Sequence, residues 1–367
     1  MKKNLKNLSV FLVLVVSVLI LAVIIRGTLN IFNNYFLNKE ITANKKPFVL
    51  ESEQFEVNNI GGKIYLALLP VKKAEHPSSI IEQFRKPIYS SKILKEIDIY
   101  YIDVFSNKIE KFLVDDNENG YLKFSADGKK LVFVSDRNNF DSNIKQVYTV
   151  NPDLSDIKQI TFSNDKPKKS SPVFSPDGKQ IVFTVLTANN DDNEEVKFSP
   201  ESSSIYITDL NGNEHFVING SSPMFSPDGK FLLALKSEGL YAINLESNDS
   251  KILIPLPDNA KTKYSTSMKL SLSADGSMLA WSNALKNELY LLKIISWEPF
   301  YYNKKTIIAS RVFWPVFSPD GKHLAFQEVG GNNIPKLTII DLKNFKPMIK
   351  FNLKNYLSNA MWVTEWR

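Results

Sequence analysis

Imidazoles, clustered carboxylates and an activated serine are the groups through which this chain could do chemistry. The three histidines, His76, His215 and His323, are scattered, and none lies within ligand spacing of another. A metal-dependent lyase needs imidazoles converging on one ion, so that reading has little to stand on. Asp191, Asp192, Glu194 and Glu195 form a carboxylate cluster, but no glycine stands where a calcium loop makes its sharp turn. With Asn189, Asn190 and Asn193 among them, they read as a solvated loop. A serine hydrolase needs a G-x-S-x-G elbow, which the sequence does not contain; Gly220-Ser221-Ser222, before Met224, reads as a loop turn. With no cysteine, thiolate ligands, a cysteine nucleophile and disulfides are excluded. The sequence therefore assigns no catalytic, cofactor-binding or metal-ligating residue, implies no cofactor, and reads as non-enzymatic.

The elements that would position any site announce themselves by repetition. FSADGKKLVFV begins at Phe124, FSPDGKQIVFT at Phe174, FSPDGKFLLAL at Phe225, LSADGSMLAWS at Leu272 and FSPDGKHLAFQ at Phe317, at intervals of 50, 51, 47 and 45 residues. In each turn Pro176, Pro227 or Pro319 presets φ, with Ala126 and Ala274 in the other two copies. The Asp side chain bonds nearby backbone, and Gly supplies φ > 0. The strand that follows, such as Leu131-Val132-Phe133-Val134, is apolar on successive residues, so both its faces are buried. A second strand recurs as QVYTVNPD, SIYITDLNG, GLYAINLES, ELYLLKIIS and KLTIIDLKN. A weaker apolar run usually follows it. Four strands per unit of this period predict propeller blades. Tyr148, Tyr206, Tyr241 and Tyr290 recur within the second element and are expected in interblade packing rather than in a binding stripe.

A sixth unit is split between the ends. DIYYIDVFSNK from Asp98 repeats the second element, and Gly61-Gly62-Lys63-Ile64-Tyr65-Leu66 resembles the strand after a turn. Asn359-Ala360-Met361-Trp362-Val363 stands where a sixth inner strand would begin, so a C-terminal strand closing a six-bladed ring is expected. Phe55-Glu56-Val57 is the alternative inner strand. The fold class is therefore all-β, a six-bladed propeller preceded by one transmembrane helix.

Residues 8–25 carry no charge and as a helix would reach about 27 Å, close to a bilayer core. Lys2, Lys3 and Lys6 precede the run, Arg26 follows, and no acid occurs before Glu40. This asymmetry keeps the N-terminus in the cytoplasm and carries the remainder across. The run is longer than a signal-peptide core and lacks a small-residue cleavage site, which favours a retained anchor over a cleaved signal. The expected organisation is a cytoplasmic tail over 1–7, an anchor over 8–26, an Asn-rich stalk over 27–53 and the propeller over 54–367. The net charge is +6, and without the four basic residues around the anchor about +2 remains. No basic cluster interleaved with aromatics is left to bind nucleic acid.

Phe174-Ser175-Pro176-Asp177-Gly178-Lys179 and its relatives, with Ser135-Asp136-Arg137 after the first, resemble the repeat of TolB-like propellers, found also in propeller domains of the prolyl oligopeptidase group. The resemblance covers residues 60–365. It implies a protein-interaction platform in the bacterial envelope, although an anchor and stalk stand where a TolB has an extra N-terminal domain. The expected partner is an envelope protein; a cell-wall glycan is the alternative, and a propeller-type lyase or hydrolase a more distant one. Aromatic residues open around the axis would favour a glycan, a patch built from loops a protein. The longest connections, Pro70 to Lys95, Leu186 to Ser203 and Pro255 to Met268, are expected on the face opposite the DG turns. Within the first, Pro77-Ser78-Ser79 followed by Ile80, Ile81 and Phe84 resembles a short capped amphipathic helix.

Overall fold

The computed structural model describes residues 48–49, 52–54, 60–70, 97–115, 117–138, 144–162, 168–186, 203–236, 238–255, 269–283, 288–308, 312–329, 335–353 and 356–367. The chain divides into two compact units, Met1–Lys46 with His76–Ser79 and Pro47–Glu75 with Ile80–Arg367, and every described residue belongs to the second. The expected tail, anchor and most of the stalk lie outside the described residues, as do Phe55-Glu56-Val57 and the Pro77 to Phe84 segment. Among the described residues no helix is long and apolar enough to cross a membrane.

The second unit is built from strands in six sheets. Strands β1 (Phe48–Val49) and β2 (Ser52–Gln54) precede β3 (Lys63–Pro70), β4 (Asp98–Asp103) and β5 (Lys108–Leu113). Blade II follows as β6 (Asn119–Phe124), β7 (Leu131–Ser135), β8 (Gln146–Val150) and β9 (Lys158–Gln159). Blade III is β10 (Lys168–Phe174), β11 (Gln180–Leu186), β12 (Ser203–Asp209) and β13 (Glu214–Asn219). Blade IV is β14 (Ser221–Phe225), β15 (Phe231–Lys236), β16 (Gly239–Asn244) and β17 (Ser250–Pro255). Blade V is β18 (Lys269–Leu272), β19 (Met278–Asn283), β20 (Glu288–Trp297) and β21 (Phe300–Ile308). Blade VI is β22 (Val312–Phe317), β23 (His323–Val329), β24 (Pro335–Asp341) and β25 (Pro347–Asn352), after which β26 (Tyr356–Trp366) returns to β3. Blade I thus has the order β26-β3-β4-β5-β1.

The C-terminal closure expected from the sequence is therefore the one found: Met361 pairs with Leu68, Trp362 with Ala67 and Val363 with Leu66. The ring starts earlier than residue 54, however. β1 pairs with β5, and β2 pairs with β25 as the fifth strand of blade VI. Strands of two and three residues are too short to show a period, so the sequence left them in the stalk.

Each apolar core lies between two blades. The alternation of β7 shows why: Leu131 and Phe133 join Tyr65, Ile99 and Leu113 of blade I, whereas Val132 and Val134 join Phe174, Ile181 and Phe183 of blade III. Blades III and IV share Val182, Ile205, Leu232 and Ala234; IV and V share Leu233, Leu235, Leu279 and Trp281. Ala280, Leu289, Leu324 and Phe326 join V to VI, and Ile64, Leu66, Ala325 and Leu337 join VI to I. A strand buried on both faces is what the unbroken apolar runs specify. The tyrosines fall where expected. Tyr148 stacks on Phe133 with centroids 5.8 Å apart, Tyr206 on Phe183 at 6.1 Å, and Tyr290 lies 5.3 Å from Trp281. Tyr241 packs against the core between blades III and IV.

The DG turns are one structure used five times. Ser175 Oγ donates to Asp177 Oδ1 at 2.6 Å and accepts from the Gln180 amide at 2.9 Å, while Asp177 Oδ1 accepts from the Lys179 amide at 3.1 Å. The equivalent serine to aspartate bonds are Ser125–Asp127, Ser226–Asp228, Ser273–Asp275 and Ser318–Asp320, at 2.7, 2.5, 2.6 and 2.6 Å. The serine hydroxyl chiefly holds Asp127, Asp177 and Asp275 below the usual carboxylate range. Burial, the largest influence on Asp228 and Asp320, opposes this, yet the serine and backbone bonds still bring both down.

Two outcomes test this account. Trp366 is buried and its indole N–H donates to the Gly61 carbonyl at 3.2 Å. Trp366→Ala should cost about 3–5 kcal/mol in urea unfolding, and removal of Asn359 to Arg367 should cost more, because strand pairing goes with it. In the turns, Gly178 (φ +71°) has open space around it, whereas a Cβ on Gly276 (φ +70°) would run into the Pro227 ring of the adjacent turn. Gly178→Ala should cost only the left-handed backbone penalty, about 1–2 kcal/mol, and Gly276→Ala measurably more in the same assay.

Candidate functional site

Four of the six innermost strands share a local irregularity that points one residue of each toward the axis. Pairing slips between Gly120 and Lys123, Ser170 and Val173, Ser221 and Met224, and Phe313 and Val316. Inside each slip sits a non-glycine residue in the left-handed region: Tyr121 (φ 56°), Ser171 (φ 50°), Ser222 (φ 52°) and Trp314 (φ 56°). These are β-bulges, which re-aim a side chain at the cost of one ladder bond. Pro172, Pro223 and Pro315 follow in three of them, where a residue without an N–H loses nothing.

All four residues, with Lys269 at the start of β18, line a cavity of about 60 Å³ on the axis. Each stands three residues before the first residue of its FS(P/A)DG copy, so the repeat carried the signal one step upstream of where it is conspicuous. Gly220-Ser221-Ser222 was expected to be a loop turn. Instead Ser221 and Ser222 belong to an inner strand, and both are buried.

Lys269 Nζ is the centre of this layer. It donates to Ser171 Oγ at 3.0 Å and to Ser222 Oγ at 3.5 Å, and it lies 4.7 Å from the Trp314 ring centroid and 5.2 Å from that of Tyr121. Protein atoms crowd the ammonium although the residue keeps some surface open to the channel. Burial first, and the nearby Lys123 charge second, push its pKa down to about 7. The two rings are 6.1 Å apart, and the cation lies over both of them.

Toward the DG turns the channel widens into a mouth of about 290 Å³, lined among others by Ala126, Pro176, Pro227, Ala274, Pro319 and Arg367. Here Lys123 pairs with Glu365 at 3.1 Å, and Arg367 lies 3.5 Å from Glu365 while donating to the Ser125 carbonyl at 3.0 Å. Between blades II and III, Glu118 is buried and paired with Lys145; burial, its largest influence, raises its pKa against the pull of that lysine. Asp136 and Arg137 of the first repeat have a structural task. Asp136 accepts from the Glu118 amide at 2.8 Å, and Arg137 bonds Asp115 at 3.0 Å and Asn119 at 2.9 Å while lying over the Phe133 and Tyr148 rings.

The histidines remain apart. His323 opens β23 with Nδ1 3.7 Å from Asp320, His215 is exposed on β13, and His76 lies outside the described residues. So do Asp191, Asp192, Glu194 and Glu195. Among the described residues no three His, Asp or Glu side chains could hold a metal ion.

No family profile and no curated protein matches the chain. Solved structures do. TolB from Acinetobacter baumannii superposes with a TM-score of 0.58 at 18% identity, over 83% of this chain and 66% of that one, just under two thirds of its length. A chain of the nidogen/laminin complex superposes with a TM-score of 0.55 at 13% identity, over 82% of this chain and 97% of that one. What is shared at such identities is the architecture, and the chain has the fold of a six-bladed, TolB-like β-propeller.

Proposed function

We propose that the chain is a binding scaffold, held at the outer side of a cytoplasmic membrane by residues 8–26, that engages an envelope protein through the face opposite its DG turns. The observation that carries this reading is the distribution of connections. In an antiparallel blade the first-to-second and third-to-fourth connections emerge at one end, the others at the opposite end. At the DG end they are short, such as 125–130, 175–179 and 226–230 between first and second strands and 104–107, 210–213 and 245–249 between third and fourth. The excursions 71–96, 187–202 and 256–268 all depart from the other end. These three segments lie outside the described residues, but the strands that launch them do not. Long loops on a rigid frame are where recognition concentrates.

The two axial rings favour a protein over a glycan. Tyr121 and Trp314 are engaged by Lys269 in a cavity with room for a few waters, not for a pyranose ring. The nidogen/laminin complex, a propeller-matching chain in a two-protein assembly, supports the same direction. No catalytic role is proposed.

Replacing Ser78 to Ser91 by a short Gly/Ser segment should leave the melting temperature within a few degrees and abolish recovery of the crosslinked partner. Lys179→Glu and Lys322→Glu on exposed DG turns should leave recovery intact; the reverse pattern would move the binding surface to the DG face. Membrane topology has its own check. Protease added to intact spheroplasts should digest the chain from about residue 27 onward, and survival of the full-length protein beside digested surface proteins would refute the extracytoplasmic placement.

A further inference from the structure

Lys269 is a charge without a counter-charge. The other lysine of the axial cavity, Lys123, has Glu365 at 3.1 Å, and Glu365 is further engaged by Arg367. Around Lys269, β10 contributes the Ser171 hydroxyl, β14 the Ser222 hydroxyl and β22 the Trp314 ring, while β6 contributes the Tyr121 ring and the like-charged Lys123. Among the described residues no carboxylate pairs with it. A buried ammonium satisfied only by hydroxyls and ring faces leaves part of its desolvation uncompensated. Four bulged strands with residues at positive φ build this arrangement, and such backbone persists only where its surroundings over-determine it.

The remaining walls define what could enter. Pro172, Pro223, Met224, Pro315 and Val316 make the cavity largely apolar, and about 60 Å³ accommodates roughly four or five waters by that measure. A multiply charged, strongly hydrated oxyanion suits such walls poorly, and a cation would be repelled. A single carboxylate on a short hydrocarbon chain matches both parts: the oxygens meet an ammonium and two hydroxyls, and the tail meets rings and prolines. We propose that the axial cavity is a binding site for a small monocarboxylate of acetate to propionate size, received by Lys269 Nζ with the Ser171 and Ser222 hydroxyls.

Binding of an anion requires the ammonium form. The lysine pKa of about 7 then makes affinity full between about pH 5, below which the carboxylate itself protonates, and neutrality, and tenfold weaker for each pH unit above it. Of the other charged groups facing the channel, Lys123 and Glu365 are paired with each other, and Arg367 lies against the same Glu365.

The test is calorimetric titration of propionate into the full chain in nonionic detergent, with propionamide as the uncharged isostere. Propionate should bind near pH 6 and weaken on the order of a hundredfold by about pH 9, and propionamide should not bind. Lys269→Met, close in length and without charge, should abolish binding. Should that variant fail to fold, the double variant Ser171→Ala with Ser222→Ala should bind severalfold more weakly with its melting temperature near that of the parent. The proposal is overturned if propionate fails to bind near pH 6, or if amide and acid bind alike. It is also overturned by affinity that is flat across this pH range, or unchanged in Lys269→Met or in the serine pair.

Discussion

Everything in this molecule depends on strands that cannot bury themselves. A strand such as β7, with Leu131 and Phe133 on one face and Val132 and Val134 on the other, has to be covered from both sides, and within its own sheet nothing can do so. Each blade therefore requires two neighbours, and a row satisfies its first and last members only by closing. The six cores between successive blades are the result. Closure is costly in chain entropy because β3 and β26 lie at opposite ends of the sequence, and it holds because Trp366 and Val363 are buried in the core between blades VI and I.

A ring assembled this way brings six innermost strands together and leaves the axis to be filled. The bulges at Tyr121, Ser171, Ser222 and Trp314 fill it with side chains of quite different character at one level. Repetition thus fixes where the axial positions are, while individual residues fix what they do. That division explains how one frame can carry a polar hydroxyl, an aromatic wall and a buried ammonium side by side.

The same division governs how much could be read beforehand. The turns were legible because their chemistry is local: the aspartate bonds its own backbone, and Gly128, Gly178 and Gly229 sit at φ 71°, 71° and 73°. The two-sided burial of β7 and β11 was legible from unbroken apolar runs, and the split sixth blade from its incomplete copies. The axial layer was not, because Tyr121, Ser171, Ser222, Lys269 and Trp314 share a position but no chemical type, and equivalence across a ring shows only once the strands converge. Gly220-Ser221-Ser222 misled for a related reason: small polar residues before a proline read as a turn, and a bulged inner strand has that composition too. Likewise β1 and β2 passed for stalk, since three or fewer residues on an outer edge carry no usable period.

Those two short strands bear on mechanics. β2 lies along blade VI and β1 along blade I, so the two strands flank from outside the seam that β26 closes from within. A pull arriving through the chain before residue 48 meets β1 first, whose register is two residue pairs, and then β2, whose register is three. These two strands would yield before β3, which is held on both sides by β4 and β26, and the domain would gain reach while its inner closure stayed intact.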